Sequence, residues 1–246
     1  MNRALPTFAE AEARNKLSHF TVQGFDLNGV IHAGANDGEE IYNYMRFGID
    51  YIIGFEPLLA AWQLCHDNIK KWKSELNVSP KMAICFPIAL DNFNGHAELN
   101  ITAGDGKGSS LLRPNPEHPE VKKNWQDGQD MIVDKAEVQV RRLDEIALET
   151  DSGLPWDQID TLVLDTQGNE MEILEGMGDY LKQFKYLCIE LSMTPAYDGE
   201  KLGPDVAAWL LERGFILDSP ELDHNDWFFV RKDIKPVSDK VYRGKC

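Results

Sequence analysis

The sequence predicts a doubly wound α/β fold on three observations. An apolar run at 29–33 passes through a glycine turn, Gly34-Ala35-Asn36-Asp37-Gly38, into a helical stretch from 39 to about 47. The same strand-then-helix texture recurs at once over 51–72, and it returns after a polar interruption at 161–190. Short apolar strands alternating with helical periodicity imply parallel strands, right-handed crossovers and helices on both faces of one sheet.

In chain order, Thr7 and Glu10 come first as a capping box: the hydroxyl accepts from the Glu10 amide while the carboxylate reaches back. They predict a leading helix to about Leu17, within an N-terminal segment of residues 1–20. Tyr51-Ile52-Ile53-Gly54-Phe55 is a second buried strand ending at Glu56-Pro57, and 59–72 carries apolar residues at helical spacing. A third strand is expected over 83–90. From Asn92 the texture changes: 95–101 alternates, 103–130 is rich in Gly, Pro, Asn and Asp, and 137–141 alternates again. Residues 92–142 therefore read as an insertion with a hairpin and a mobile loop. A short helix over 143–149, a strand at 161–165, a helix at 169–176 and a strand at 186–190 follow. Pro204 opens a helix that Gly214 stops, and strands at 215–217 and 227–230 complete the sheet. His66, near Trp62 and Ile69 on one helix, reads as packing, and the aromatic run at 227–229 as core.

A chain of 246 residues can bury one substantial core, so residues 1–246 are expected to form a single domain. Its 41 acidic against 25 basic residues give a net charge of −16, which repels phosphate backbones and anionic lipid. No nucleic-acid and no membrane partner is expected, and a neutral or cationic small molecule is favoured. Cys65, Cys85, Cys188 and Cys246 show neither a disulfide framework nor zinc spacing, and no metal site is predicted. The first 17 residues are charged throughout, and no apolar stretch reaches membrane length, so the expected location is cytoplasmic.

Two segments carry chemistry. The glycine turn at the first strand tip and Glu56 at the second are spatial neighbours in such a sheet. A glycine turn lets a ligand approach the backbone and exposes helix amides, and a carboxylate can accept both hydroxyl protons of a ribose. Asn36 stands where a pyrophosphate-binding turn wants its middle glycine, which favours S-adenosylmethionine over a nicotinamide dinucleotide. A turn that merely joins strand to helix reads the same way. The second segment, 163–174, runs from a buried strand into the polar turn Asp165-Thr166-Gln167-Gly168-Asn169-Glu170. Asp165 and Gln167 fall at the carboxyl edge of the sheet and Glu170 in the first helical turn; ordinary capping by Asp165 or Asn169 is the alternative.

These residues resemble the FkbM-type S-adenosylmethionine-dependent methyltransferases nearly end to end. The likeness is carried by Val30-Ile31-His32-Ala33-Gly34-Ala35-Asn36-Asp37-Gly38, Gly54-Phe55-Glu56-Pro57, Ala89-Leu90, Asn94-Gly95 and Ser109-Ser110-Leu111. It continues through Arg142-Leu143-Asp144, Leu164-Asp165-Thr166-Gln167-Gly168-Asn169-Glu170, Glu190 and Gly214-Phe215. The family pattern usually has Asp at His32 and commonly Val at Thr166. The resemblance implies a Rossmann-like class I methyltransferase fold, with seven strands and the last antiparallel. It places His32, Gly34, Asn36 and Gly38 around the methionyl and ribose portions of S-adenosylmethionine. Glu56 and Pro57 would then hold the ribose end, Ala89 and Leu90 the adenine, and Gln167 the reacting end.

An alcohol acceptor needs a base within hydrogen-bond reach, and Asp165 and Glu170 are the expected catalytic pair, sharing a proton if close. Ser109, Ser110 and Glu190 are expected to meet the acceptor. The activity implied is O-methylation of a hydroxyl on a sugar, glycan or small natural product. Alternatives are an N- or carboxyl-directed methyltransferase, a nucleoside-binding module without catalysis and, weakest, a NAD-dependent oxidoreductase.

Overall fold

The computed structural model describes residues 16–76, 80–104, 106–119, 121, 131–149, 153–218 and 225–235. Helix α1 spans Ser18–Val22, strand β1 Gly29–Ala33, α2 Glu39–Phe47, β2 Tyr51–Phe55, α3 Leu59–Glu75 and β3 Met82–Phe86. Strands β4 (Ala89–Leu90), β5 (Gly95–Thr102) and β6 (Ile132–Arg141) follow, then α4 (Leu143–Leu148), β7 (Thr161–Leu164), α5 (Glu170–Glu175) and β8 (Tyr186–Glu190). Helix α6 (Gly203–Glu212), β9 (Phe215–Leu217) and β10 (Asp226–Arg231) complete the described elements.

The main sheet has seven strands in the order β3-β2-β1-β7-β8-β10-β9, with β10 antiparallel to both neighbours and every other pairing parallel. Parallel strands covered on both faces have no solvent side, and all five residues of β1 are buried. Ile31 and Ala33 enter a core closed by α4, α5 and α6, while Val30 enters the opposite core under α1, α2 and α3. The strand order reverses between β1 and β7, and at such a switch point the carboxyl ends of the strands leave a crevice.

The expected third strand over 83–90 divides. Pro87 lacks the N–H a ladder needs, and the chain leaves the main sheet there. Ala89 and Leu90 pair instead with Val140 and Arg141 in a second sheet of order β4-β6-β5. The alternating segments form the expected hairpin, Gly95 opposite Val140 through Thr102 opposite Ile132. The loop between them, expected to be mobile, is tied down over its described part. Ser110 bridges Asn100, Pro114 bridges Tyr197, and the Asn100 amide donates to the carbonyls of Ser110, Leu111 and Leu112. Thr7 and Glu10, like His224 and Cys246, lie outside the described residues. Trp227 and Phe229 are core, as expected, and His66 stacks on Trp62.

Candidate active site

The glycine turn after β1 is bent by Gly34 and Asn36, with φ of +82° and +45°. Its amides do not point into the crevice. Those of Gly34 and Ala35 donate to the Phe55 carbonyl, those of Asp37 and Glu39 to the side chains of Asn36 and Asp37, and that of Gly38 to the Ala35 carbonyl. The Asn36 amide donates to Glu56 Oε2 at 2.9 Å, while Leu58 N donates to Glu56 Oε1 at 2.8 Å. The amides of residues 34–39 are thus engaged, and no nest for a phosphate remains within the turn. In its place stands a carboxylate, 7% exposed, whose oxygens keep further lone pairs for hydroxyl donors. Burial pushes the Glu56 carboxyl up to about 7 against the pull of its two backbone amides.

Glu56 lies on a cleft of about 280 Å³ that crosses the tips of β1, β2 and β7. Gly34, Asn36, Asp37, Glu40, Asp165 and Gln167 supply its polar side; Pro57, Ile88, Ala89, Leu90, Leu99 and Leu111 supply an apolar end. Ser109, Ser110 and Lys107 from the tied-down loop form its roof, and Glu190 joins at the far wall. Two expected contacts are not among the lining residues. Gly38 is buried in packing: a Cβ there would sit 2.9 Å from Cys65 Sγ. His32 is fully buried, its Nδ1 2.9 Å from Tyr44 Oη, because its position on β1 points it into the core beneath α1 and α2. Burial and the nearby Lys16 charge push its imidazole down to about 3, so it is neutral.

A second cavity, of about 580 Å³, adjoins the first, and the two share Lys107, Gln167 and Glu190. Glu170, Tyr197, Glu200 and His118 line it. His118 reaches it because the loop folds over, with Nε2 2.8 Å from Thr194 Oγ1. Glu170 therefore belongs to this chamber and not to the cleft. Its Oε1 accepts from Thr166 N at 2.8 Å and Thr166 Oγ1 at 3.0 Å, and burial pushes its carboxyl up to about 7.

Asp165 differs. Desolvation alone would raise its carboxyl, but Lys16, 2.7 Å away, and a hydrogen bond with Glu190 outweigh it and hold it below the ordinary carboxylate range. The carboxyl hydrogen-bonded to Asp165 is Glu190; the sequence leaves open whether Glu170 shares a proton with it. Burial and the Asp165 charge drive Glu190 well above the usual range, so the proton of that pair rests on Glu190. An ionised Asp165 bound to an ammonium is a weak proton acceptor. No motif or spacing in the sequence points to Lys16, Tyr197 or Glu200. Lys16 is 149 positions from Asp165, and only the fold brings them together.

The raised Glu56 and Glu170 carboxyls fix a stability trend. Each binds its proton more tightly folded than unfolded, so the stability they contribute is full below about pH 4.5 and is lost as pH rises through about 7. Neutral His32 adds an opposing rise only up to about pH 6.5, so denaturant midpoints of the ligand-free protein are expected to fall between about pH 6.5 and about pH 8, and E56Q and E170Q should each flatten that slope. A midpoint that rises across this range contradicts the burial of both groups.

The sequence profile of the Methyltransferase FkbM domain matches residues 32–217, a span that contains both cavities except for Asn225. The chain belongs to the FkbM methyltransferase domain family. Among curated relatives, the 2-O-methyltransferase NoeI of Sinorhizobium fredii (strain NBRC 101917 / NGR234) is 24% identical over 178 residues, which cover 70% of this chain and 66% of NoeI. Among solved structures, the methyltransferase FkbM of Methylobacillus flagellatus KT overlaps 91% of this chain and 50% of its own at 12% identity and a TM-score of 0.49. The magnesium protoporphyrin IX methyltransferase ChlM of Synechocystis PCC 6803 overlaps 94% and 86% at 11% identity and a TM-score of 0.45. This chain thus spans just under two thirds of NoeI and half of the Methylobacillus protein. His32, the first residue of the matched span, is a core residue.

Proposed function

We propose that this protein transfers a methyl group from S-adenosylmethionine to a hydroxyl of a sugar, glycan or small natural product. The observation that carries the reading is a cleft whose turn amides are engaged and whose edge presents a carboxylate, opening into a chamber beside Glu170. A phosphate would meet Glu56 with no free turn amide to offset the repulsion, whereas ribose hydroxyls donate to it directly. That favours a cofactor without phosphates over a dinucleotide. The apolar end from Pro57 to Leu111 suits an adenine face, and the carboxylates of Asp37, Glu40 and Asp165 suit a cationic methionyl end.

S-adenosylmethionine supplies an electrophilic methyl group on a sulfonium. The chain's own residues then have three tasks. Gly34, Asn36 and Glu56 hold the ribose end, and Gln167 with Glu190 walls the boundary to the acceptor chamber. Glu170 accepts the hydroxyl proton as the new bond forms, with Thr166 keeping its carboxylate oriented. Ser109, Ser110 and Lys107 lie in the roof where an acceptor would pass. The net charge of −16 disfavours polyanionic acceptors, nucleic acid included, and no helix among the described residues is long and apolar enough to cross a membrane. NoeI is a 2-O-methyltransferase, which agrees with a hydroxyl acceptor.

Titration calorimetry with S-adenosylhomocysteine tests the reading, followed by a screen of hydroxylated acceptors for release of that product. E56A is expected to weaken binding by about 1–3 kcal/mol, the loss of hydrogen bonds to a charged group. No heat with the wild-type protein, or an E56A affinity equal to wild type, overturns it.

A further inference from the structure

We infer that Lys16 is a positioning residue for the reacting end of this site: through Asp165 it fixes the Gln167 side chain and, beyond it, the loop that roofs both cavities. The inference rests on the reading above that the cavities hold cofactor and acceptor. Lys16 lines neither of them. Its ammonium nitrogen lies 2.7 Å from Asp165 Oδ2 and 3.1 Å from Asp226 Oδ1, with 13% of the side chain exposed.

A primary amide has two faces of nearly equal shape, so only its partners decide which way it points. The two hydrogens on Gln167 Nε2 have separate acceptors, Asp165 Oδ1 at 2.8 Å and Glu190 Oε2 at 2.7 Å. Gln167 Oε1 is thereby turned toward the Tyr197 hydroxyl at 2.9 Å. That hydroxyl is also 3.0 Å from the Gly108 carbonyl, and its single proton serves one acceptor at a time. Gly108 stands between Lys107 and Ser109, both on the roof of the cofactor cleft. A continuous line of polar contacts therefore runs from Lys16 through Asp165, Gln167 and Tyr197 to the roof loop.

Gln167 needs that support. Its φ of +61° is a left-handed conformation that a non-glycine residue adopts only when its surroundings over-determine it. Lys16 keeps Asp165 an acceptor at both oxygens, one for the ammonium and one for the amide. Without the ammonium, Asp165 faces the Glu190 carboxyl with no counter-charge and can itself protonate, turning from acceptor to donor. The amide then loses its reason to face one way, and the roof loses its anchor at Gly108.

Peptide-level hydrogen exchange over 106–111, measured without ligand, reads the chain directly. K16M is expected to speed exchange there about tenfold, one hydrogen bond's worth of local stability, and Q167A should do the same. K16R restores the cation and should bring exchange back toward wild type. D226N leaves the Lys16–Asp165 pair in place and should stay within about twofold of wild type. Exchange in K16M equal to wild type, failure of K16R to recover it, or an equal effect in D226N overturns the inference. If K16M does not fold, K16Q is read by the same criteria, and loss of the fold in both variants replaces positioning by a purely structural role. The cofactor reading fails separately, through wild-type calorimetry with S-adenosylhomocysteine, which these ligand-free measurements do not use.

Discussion

E170Q is expected to lower kcat by about 10²–10⁴-fold, the usual contribution of a general base, while leaving the affinity for S-adenosylhomocysteine unchanged. The split follows from where Glu170 stands. It lines the chamber proposed for the acceptor and not the cleft proposed for the cofactor, so on that reading cofactor contacts do not change when its charge is removed. Glutamine has the same shape, and its amide oxygen can still accept from Thr166 N and Thr166 Oγ1, so the turn holding α5 survives. What disappears is a carboxylate whose burial has pushed it up to about 7, near the value at which a base best balances being ionised against being basic.

The same placement fixes the pH profile. A general base at Glu170 works only when ionised, so wild-type kcat should rise through about pH 7 and E170Q should lose that limb. Asp165 cannot take over, because its pair with Lys16 holds its carboxyl too low. A fall in kcat smaller than about threefold would move the base elsewhere, with Glu200 the other carboxylate on the chamber wall, since Glu190 holds its proton.

G34A should be the most destabilising single-methyl change near the site. A Cβ on Gly34 would lie 1.8 Å from the Asp165 carbonyl oxygen, on a backbone with φ of +82°. The oxygen cannot retreat, since the strand tips are held by Asp165 N donating to Ala33 O at 3.1 Å. A left-handed alanine costs about 1–2 kcal/mol and forced repacking a further ~1–3 kcal/mol, a large part of an ordinary domain's stability. Gly48 is the matched control: its φ is +81°, but a Cβ there meets nothing within 4 Å. G48A should therefore carry the conformational cost alone. Urea midpoints decide it, and equal losses in the two variants would show that the strand tips are looser than described.

The strands and most helices could be read from the sequence because apolar runs and their periods are local properties. Strands β1, β2, β8 and β9 fall where the pattern puts them, and Pro204 and Gly214 bracket α6 within a residue or two. The division at Pro87 was harder, because 83–90 is one apolar run and only the partner strand β6 draws its last two residues away. The cleft was legible as tips that meet, and Gly34, Asn36, Glu56, Pro57, Ala89, Leu90, Ser109, Ser110, Asp165, Gln167 and Glu190 do line one crevice. His32 and Gly38 were misplaced since a motif gives positions along the chain, not the face a side chain takes. The pairing of Asp165 with Lys16 and Glu190, like the engaged turn amides, is a property of distance and burial that no spacing rule encodes. The sequence places Glu170 as a carboxylate near the turn, but which cavity it lines depends on the bend between β7 and α5.

The position of β10 bears on how the chain can be made. This strand is inserted between β8 and β9, both of which precede it, so as the polypeptide emerges from the ribosome those two have no common partner until residues 226–231 arrive. Until then β8 presents an open edge, the kind of surface on which unfinished sheets pair with the wrong neighbour. The Lys16 contact to Asp226, which spans 210 positions, cannot close any earlier. Truncation before residue 226 should therefore yield aggregates and not a smaller working enzyme.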